Sequence, residues 1–275
     1  MSSLMRDALL TLKSMGFNAL FREILRRVFG VGYRYRGIPV NSNIAFRVIR
    51  NALLRNYNVY SSGSEITIQT PFGEFSVDVA DIGLLGVLSE SLEDMYGFVD
   101  VKDAIVIDIG ASIGDTALLF IFKGAYRVYA LEPVDKHYHY LLKNISRNKV
   151  MDRVIPFNHG VWFRETVLSA GYEGLATGLR TSAETLVTLR VKHIGDILRE
   201  VFEREGRIDL VKMDCEGCEY SLLSISSEDI KLVKQYIIEI HGSEIPIIDK
   251  MSENGYRYRF IKNIDRLVTI YYFTQ

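Results

Sequence analysis

The spacing of apolar positions changes character near residue 100, and that change divides the chain. In the first part, Leu4, Ala8, Leu12, Met15, Leu20, Ile24, Leu25 and Val28 recur at roughly helical intervals, predicting helix over 4–29 with a break at Gly16. Residues 43–57 read as a second short helix. Glu65–Gln69 and Glu74–Val79 alternate apolar and polar around Thr70-Pro71-Phe72-Gly73, the pattern of a β-hairpin. Ile82–Tyr96 returns to helical spacing.

From Val101 the chain alternates short apolar runs with amphipathic ones. The runs Ala104–Ile107, Val128–Leu131, Val154–Asn158, Asp209–Met213 and Gln235–Ile240 suit strands buried on both faces. Thr116–Phe122, Asp135–Lys149 and Ile194–Glu203 read as the helices between them. Tyr256–Ile261 and Leu267–Phe273, with a turn at Asn263–Asp265, predict a closing antiparallel hairpin. The fold class is therefore α/β: a doubly wound, mostly parallel Rossmann-like sheet over 101–275, with ligands at its carboxyl edge. Residues 1–100 form a mixed helical and β-hairpin extension. Val161–Lys192 interrupts the alternation with Gly171, Gly174, Gly178, the cluster Thr177, Thr181 and Ser182, and a strand-like run Thr185–Val191. It reads as an inserted hairpin or loop over the site.

The 275 residues are 48% hydrophobic and carry a net charge of −1, so a dedicated nucleic-acid binder is not expected. Charge is uneven, however: residues 1–36 hold seven Lys or Arg against two acids. A basic amphipathic helix there could lie on an anionic membrane or dock on a partner, but a helix packed on its own domain or across a dimer, with a solvated basic face, is the favoured reading. No apolar run is long enough to span a bilayer and no signal peptide is apparent, which makes the cytoplasm the default compartment. Cys215 and Cys218 do not make a secreted disulfide framework, and their expected role is that of small buried apolar groups.

Candidate chemistry starts at Asp108-Ile109-Gly110-Ala111-Ser112-Ile113-Gly114, between the first parallel strand and its helix. Dinucleotide sites need a glycine where the backbone meets a pyrophosphate, and here that position is Ser112. The next strand ends in Glu132-Pro133, where a carboxylate can accept two hydrogen bonds from a ribose diol. A glycine loop with a ribose carboxylate but no phosphate position favours S-adenosylmethionine.

The stretches VIDIGASIGD, ALEP, IDLVKMDCEGCE and IIEIHG together resemble the FkbM-type methyltransferases, S-adenosylmethionine-dependent enzymes acting mostly on hydroxyls of sugars or natural products. The resemblance covers about Val101 to Gly242. It implies a methyltransferase sheet in which Asp108, Gly110 and Gly114, with Ala111 and Ser112, line the methionine end. Glu132, with Pro133 beside it, would hold the ribose, and Asn158 or its neighbours would lie near the adenine. The Asp214-x-Glu216-Gly-x-Glu219 box would face the acceptor.

An aliphatic hydroxyl needs its proton removed as it attacks. Asp214, Glu216 and His241 are the candidate catalytic residues, with Glu219 and Glu239 nearby. A divalent metal held by Asp214 and Glu216 is conceivable, but no metal ligands are assigned. The expected reaction is O-methylation of a sugar, glycan, lipid-linked or other small-molecule acceptor. A tRNA methyltransferase is the alternative, since NISRNKVMDRVIP resembles that class; a non-catalytic adenosyl-binding protein is a third reading. Asp214-Cys215-Glu216 stands where base-modifying enzymes carry an Asn-Pro-Pro-type motif, which favours the hydroxyl acceptor.

Overall fold

The computed structural model describes residues 3–88, 91–171 and 186–275. The chain divides into two compact units, residues 1–90 and 91–275.

In the first unit, α1 (Ser3–Met15) and α2 (Phe17–Phe29) are separate helices. Gly16, at φ 84°, makes the break between them, and α2 ends on the left-handed Gly30. A small ribbon, β1 (Tyr33–Tyr35) with β2 (Ile38–Val40), leads to α3 (Asn43–Leu54), which is N-capped by the Ser42 hydroxyl. The hairpin of β4 (Glu65–Thr70) and β5 (Gly73–Asp78) forms as its alternation predicts. It gains a third strand, β3 (Asn58–Ser62), which has too few apolar residues to announce itself. Helix α4 (Ile82–Leu88) closes the unit.

The second unit opens with the short helix α5 (Leu92–Tyr96), so the helical pattern at 82–96 is two helices in different units. The strands and helices that follow are β6 (Ile105–Ile109), α6 (Asp115–Phe122), β7 (Arg127–Leu131), α7 (Asp135–Arg147) and β8 (Val154–Phe157). Next come β9 (Gly160–Trp162), β10 (Thr166–Gly171) and β11 (Leu186–His193), then α8 (Ile194–Glu205) and β12 (Leu210–Met213). A 3-10 helix, Cys218–Ser224, and α9 (Ser227–Ile230) lead to β13 (Gln235–His241), α10 (Ile245–Glu253), β14 (Arg257–Asn263) and β15 (Val268–Thr274).

Among the described residues the main sheet has the order β14-β15-β13-β12-β6-β7-β8. The five strands β13, β12, β6, β7 and β8 are parallel, and β15 pairs antiparallel with both β13 and β14. Strand order therefore reverses beside β6, and the crevice at that switch point lies beyond the ends of β6 and β12. All five β6 side chains are buried, as befits a central strand covered on both faces.

The inserted segment is a hairpin, β10 with β11, and β11 also pairs in parallel with β9. Its expected glycine- and threonine-bearing tip, 172–185, lies outside the described residues.

Candidate active site

The loop 110–114 is tied by its backbone to the ends of two strands. The Gly110 and Ala111 amides both donate to the Leu131 carbonyl at 3.0 Å, tying it to β7. Gly110 has φ 77°, and a Cβ there would run into the Asp214 carbonyl. Gly114 has φ 85°, and a Cβ would lie 2.7 Å from Leu141 Cδ1 on α7. Both glycines thus serve close packing inside the protein as well as left-handed backbone. Ala111 is fully buried, and Ser112 adopts a positive φ of 46° with its buried hydroxyl unpartnered.

Asp108 is placed beneath this loop, at 0% exposure. Its carboxylate accepts from Thr116 Oγ1 at 2.5 Å and faces Lys212 Nζ at 3.1 Å. Lys212 is the residue the sequence reading passes over. It sits within an apolar strand, is 1% exposed, donates to the Gly110 carbonyl at 2.9 Å and lies 3.8 Å from Asp214 Oδ2. Burial opposes its charge, but Asp108, Asp214 and Asp115 outweigh that and raise its pKa. Tyr96 packs its ring on this ammonium and points its hydroxyl at Asp214, 3.4 Å away.

Glu132 stands at the tip of β7, as expected, and is 4% exposed. One carboxylate oxygen accepts from the Ser112 amide at 2.9 Å, the other from the Val134 amide at 2.8 Å. An ionised carboxylate has about four acceptor sites, so each oxygen keeps one for a hydroxyl. Burial pushes its pKa up to about 7 despite those two amides. This geometry, with the orphaned Ser112 hydroxyl on the same loop, fits a ribose diol. Pro133 follows half-buried. Asn158, beyond β8, donates to the Glu132 carbonyl at 3.4 Å and accepts from Arg190 at 3.2 Å. Asn158, Arg190, Thr166 and Lys192 line a cleft of about 420 Å³ between β8 and the inserted hairpin.

The acidic box and the end of β13 converge, as predicted. His241 is held by Glu219, which is wholly buried: one oxygen accepts from the His241 amide at 2.8 Å and lies 3.4 Å from Nδ1. The other accepts from the Gly217 amide at 2.9 Å. His241 Nε2 faces Glu216 at 3.5 Å and Glu239 at 3.7 Å. Burial would lower the imidazole's pKa, but the nearby Glu219 and Glu216 carboxylates override it, raising it to about 9. Glu239 is pushed upward by burial and by Asp214. Its Oε2 is buried and has no hydrogen-bond partner. Ligand atoms of Asp214, Glu239 and His241 lie within 4.8 Å of one another, making this trio, rather than Asp214 with Glu216, the described set that could hold a cation.

Cys215 and Cys218 depart from expectation. They form a disulfide rather than packing as free thiols. The turn at Glu216 and Gly217, both at positive φ, brings their Cα atoms to 5.4 Å, within bridging range.

The switch-point crevice thus lies among a glycine loop, a buried carboxylate at the tip of β7 and an acidic box beyond β12. A family model described as "Methyltransferase FkbM domain" matches residues 108–258, more than half of the chain. The chain belongs to the FkbM methyltransferase family.

Among solved structures, methyltransferase FkbM from Methylobacillus flagellatus KT is 21% identical at a TM-score of 0.47, the match covering 70% of this chain and 53% of that one. The chain thus spans about half of that protein's length. TYW2 of M. jannaschii, in complex with AdoMet, is 20% identical at a TM-score of 0.44, over 78% of this chain and 87% of that one. Sp1610 of Streptococcus pneumoniae, in complex with S-adenosyl-L-methionine, is 13% identical at 0.44, over 66% and 71%. No curated protein matches the sequence significantly.

Proposed function

We propose that the enzyme methylates a hydroxyl group of a sugar, glycan, lipid-linked or other small-molecule acceptor. The observation that carries this reading is Glu239, which clusters with Asp214 and His241 and whose Oε2 is buried without a hydrogen-bond partner. When bound, S-adenosylmethionine supplies an activated sulfonium methyl group. What the chain must add is alignment of the acceptor and a place for its proton.

The expected assignment of His241 as the neutral base changes with the geometry. With carboxylates around it, its imidazole keeps a proton near neutrality. It then serves as a fixed positive charge and donor. Glu239, whose proton affinity is raised by burial, takes the acceptor's proton. Asp214, fastened to the loop through Lys212, orients the hydroxyl, and Glu219 fixes the imidazole ring.

A screen of hydroxylated acceptors by mass spectrometry tests this reading. With a verified acceptor, Glu239→Gln and Asp214→Asn should each lower kcat by about 10²-fold or more. S-adenosylmethionine affinity by calorimetry should stay within error. Methylation of tRNA at a base nitrogen, with no hydroxyl acceptor turned over, would overturn it. EDTA should leave turnover unchanged; loss restored by Mg²⁺ or Mn²⁺ would transfer the proton-lowering role to a metal at the same trio.

A further inference from the structure

Helix α2 is inside out with respect to its own unit. Its inward side carries Ala19, Glu23 and Arg26, with Glu23 at 3% and Arg26 at 9% exposure. Glu23 Oε1 pairs with Arg26 and Arg27 at 2.7 Å each, and Arg26 also donates to Asn43 at the start of α3. The opposite side, Phe17, Phe21, Ile24 and Val28 at i, i+4, i+7 and i+11, is open to solvent; Phe17 is 71% and Val28 67% exposed. Phe29, at 70%, extends the stripe, and Leu25, Phe29 and Val31 wall an apolar cleft of about 320 Å³ with Arg22 beside them. On α1, Met5, Leu9 and Leu12 are likewise exposed on one helical face. Contiguous exposed apolar faces of this kind, rimmed by polar residues, mark interaction surfaces.

The charge around it has one sign. The segment's two acids are both engaged, Glu23 as above and Asp7 with Arg50 at 3.1 Å. Arg6, Lys13, Arg22, Arg34 and Arg36 are exposed. On the α2 wheel, Arg22 and Arg27 fall on either side of the apolar arc, where long side chains can reach up to headgroups while the rings enter the acyl boundary. No described helix is long and apolar enough to cross a bilayer.

We infer that residues 3–40 dock through this face onto an anionic lipid surface, lying in the interface without spanning it. The sequence pattern favours packing on the chain's own domain or across a dimer, and the first of these does not account for an apolar side turned outward. A second copy of the chain would match the apolar stripe but would bring the same uncompensated positive charge against it. The inference is independent of the methyl-transfer chemistry, and its test needs no acceptor.

Flotation of the full chain with vesicles decides it. The chain should bind vesicles of phosphatidylcholine containing about a third phosphatidylglycerol, and pure phosphatidylcholine vesicles far more weakly. Phe17→Ser with Phe21→Ser should reduce partitioning at least about tenfold, and Arg22→Glu with Arg34→Glu should do the same on anionic vesicles only. Because all four side chains are exposed, thermal unfolding and S-adenosylmethionine binding should match the parent. Absence of binding to anionic vesicles would overturn the inference. So would a dimer, seen by light scattering, that the Phe→Ser pair dissociates while vesicle binding is unchanged.

Discussion

Glu132 carries a cost in the folded protein when it is ionised. Its folded pKa of about 7 stands above the ordinary 4.5, so the folded state holds a proton that the unfolded chain has already lost. Its contribution to stability is full below pH 4.5 and is lost as pH rises through 7. Glu132→Gln should therefore leave the free protein more stable than the parent above pH 7, while weakening S-adenosylmethionine binding by roughly 1.5–3 kcal/mol. Urea titrations at pH 5 and 8, paired with calorimetry, check both signs; equal stability at pH 8 would remove the argument. Lys212 predicts the reverse. Lys212→Met strands the wholly buried Asp108 and should cost about 3–5 kcal/mol in the same titration. Glu132 was legible because a carboxylate at a strand tip stands out against apolar neighbours. Lys212 was not, since one polar residue inside an apolar strand reads as noise until its partners Asp108 and Asp214 are seen beside it.

The elements with clean periodicity are where the pattern puts them. Strand β6 and helix α6 are buried on nearly all sides, so every residue reports the same environment. The acidic box was legible for the same reason, since Asp214 directly follows a buried strand. The outward face of α2 was not legible, because periodicity records that a helix has an apolar side and not which way that side turns. The Cys215–Cys218 bridge depends on the two positive-φ residues between the cysteines, which composition does not encode. The glycine loop yields a prediction of its own. Gly110→Ala adds an atom against the Asp214 carbonyl in left-handed backbone, so it should destabilise by more than the about 1–2 kcal/mol of the backbone term alone. It should also lower acceptor turnover, since Asp214 must move. A variant with parent-like stability and kcat would show that the loop yields locally.

For the whole molecule, the candidate cofactor residues and the outward apolar face belong to different compact units. At a hundredfold excess over Kd, S-adenosylmethionine should raise unfolding free energy by about 2.7 kcal/mol. Scanning calorimetry should show that shift with the parent and lose most of it with Glu132→Gln. The contact between Gly110 and the Asp214 carbonyl has a consequence for how such an enzyme can diversify. The proposed cofactor loop and the proposed acceptor box meet at one backbone junction, so neither can drift without disturbing the other. Substitutions that broaden the acceptor range while keeping the donor should therefore collect in the inserted hairpin. The junction itself stays closed to innovation, and a library randomised at 214–219 should return far fewer active clones than one randomised along β10 and β11.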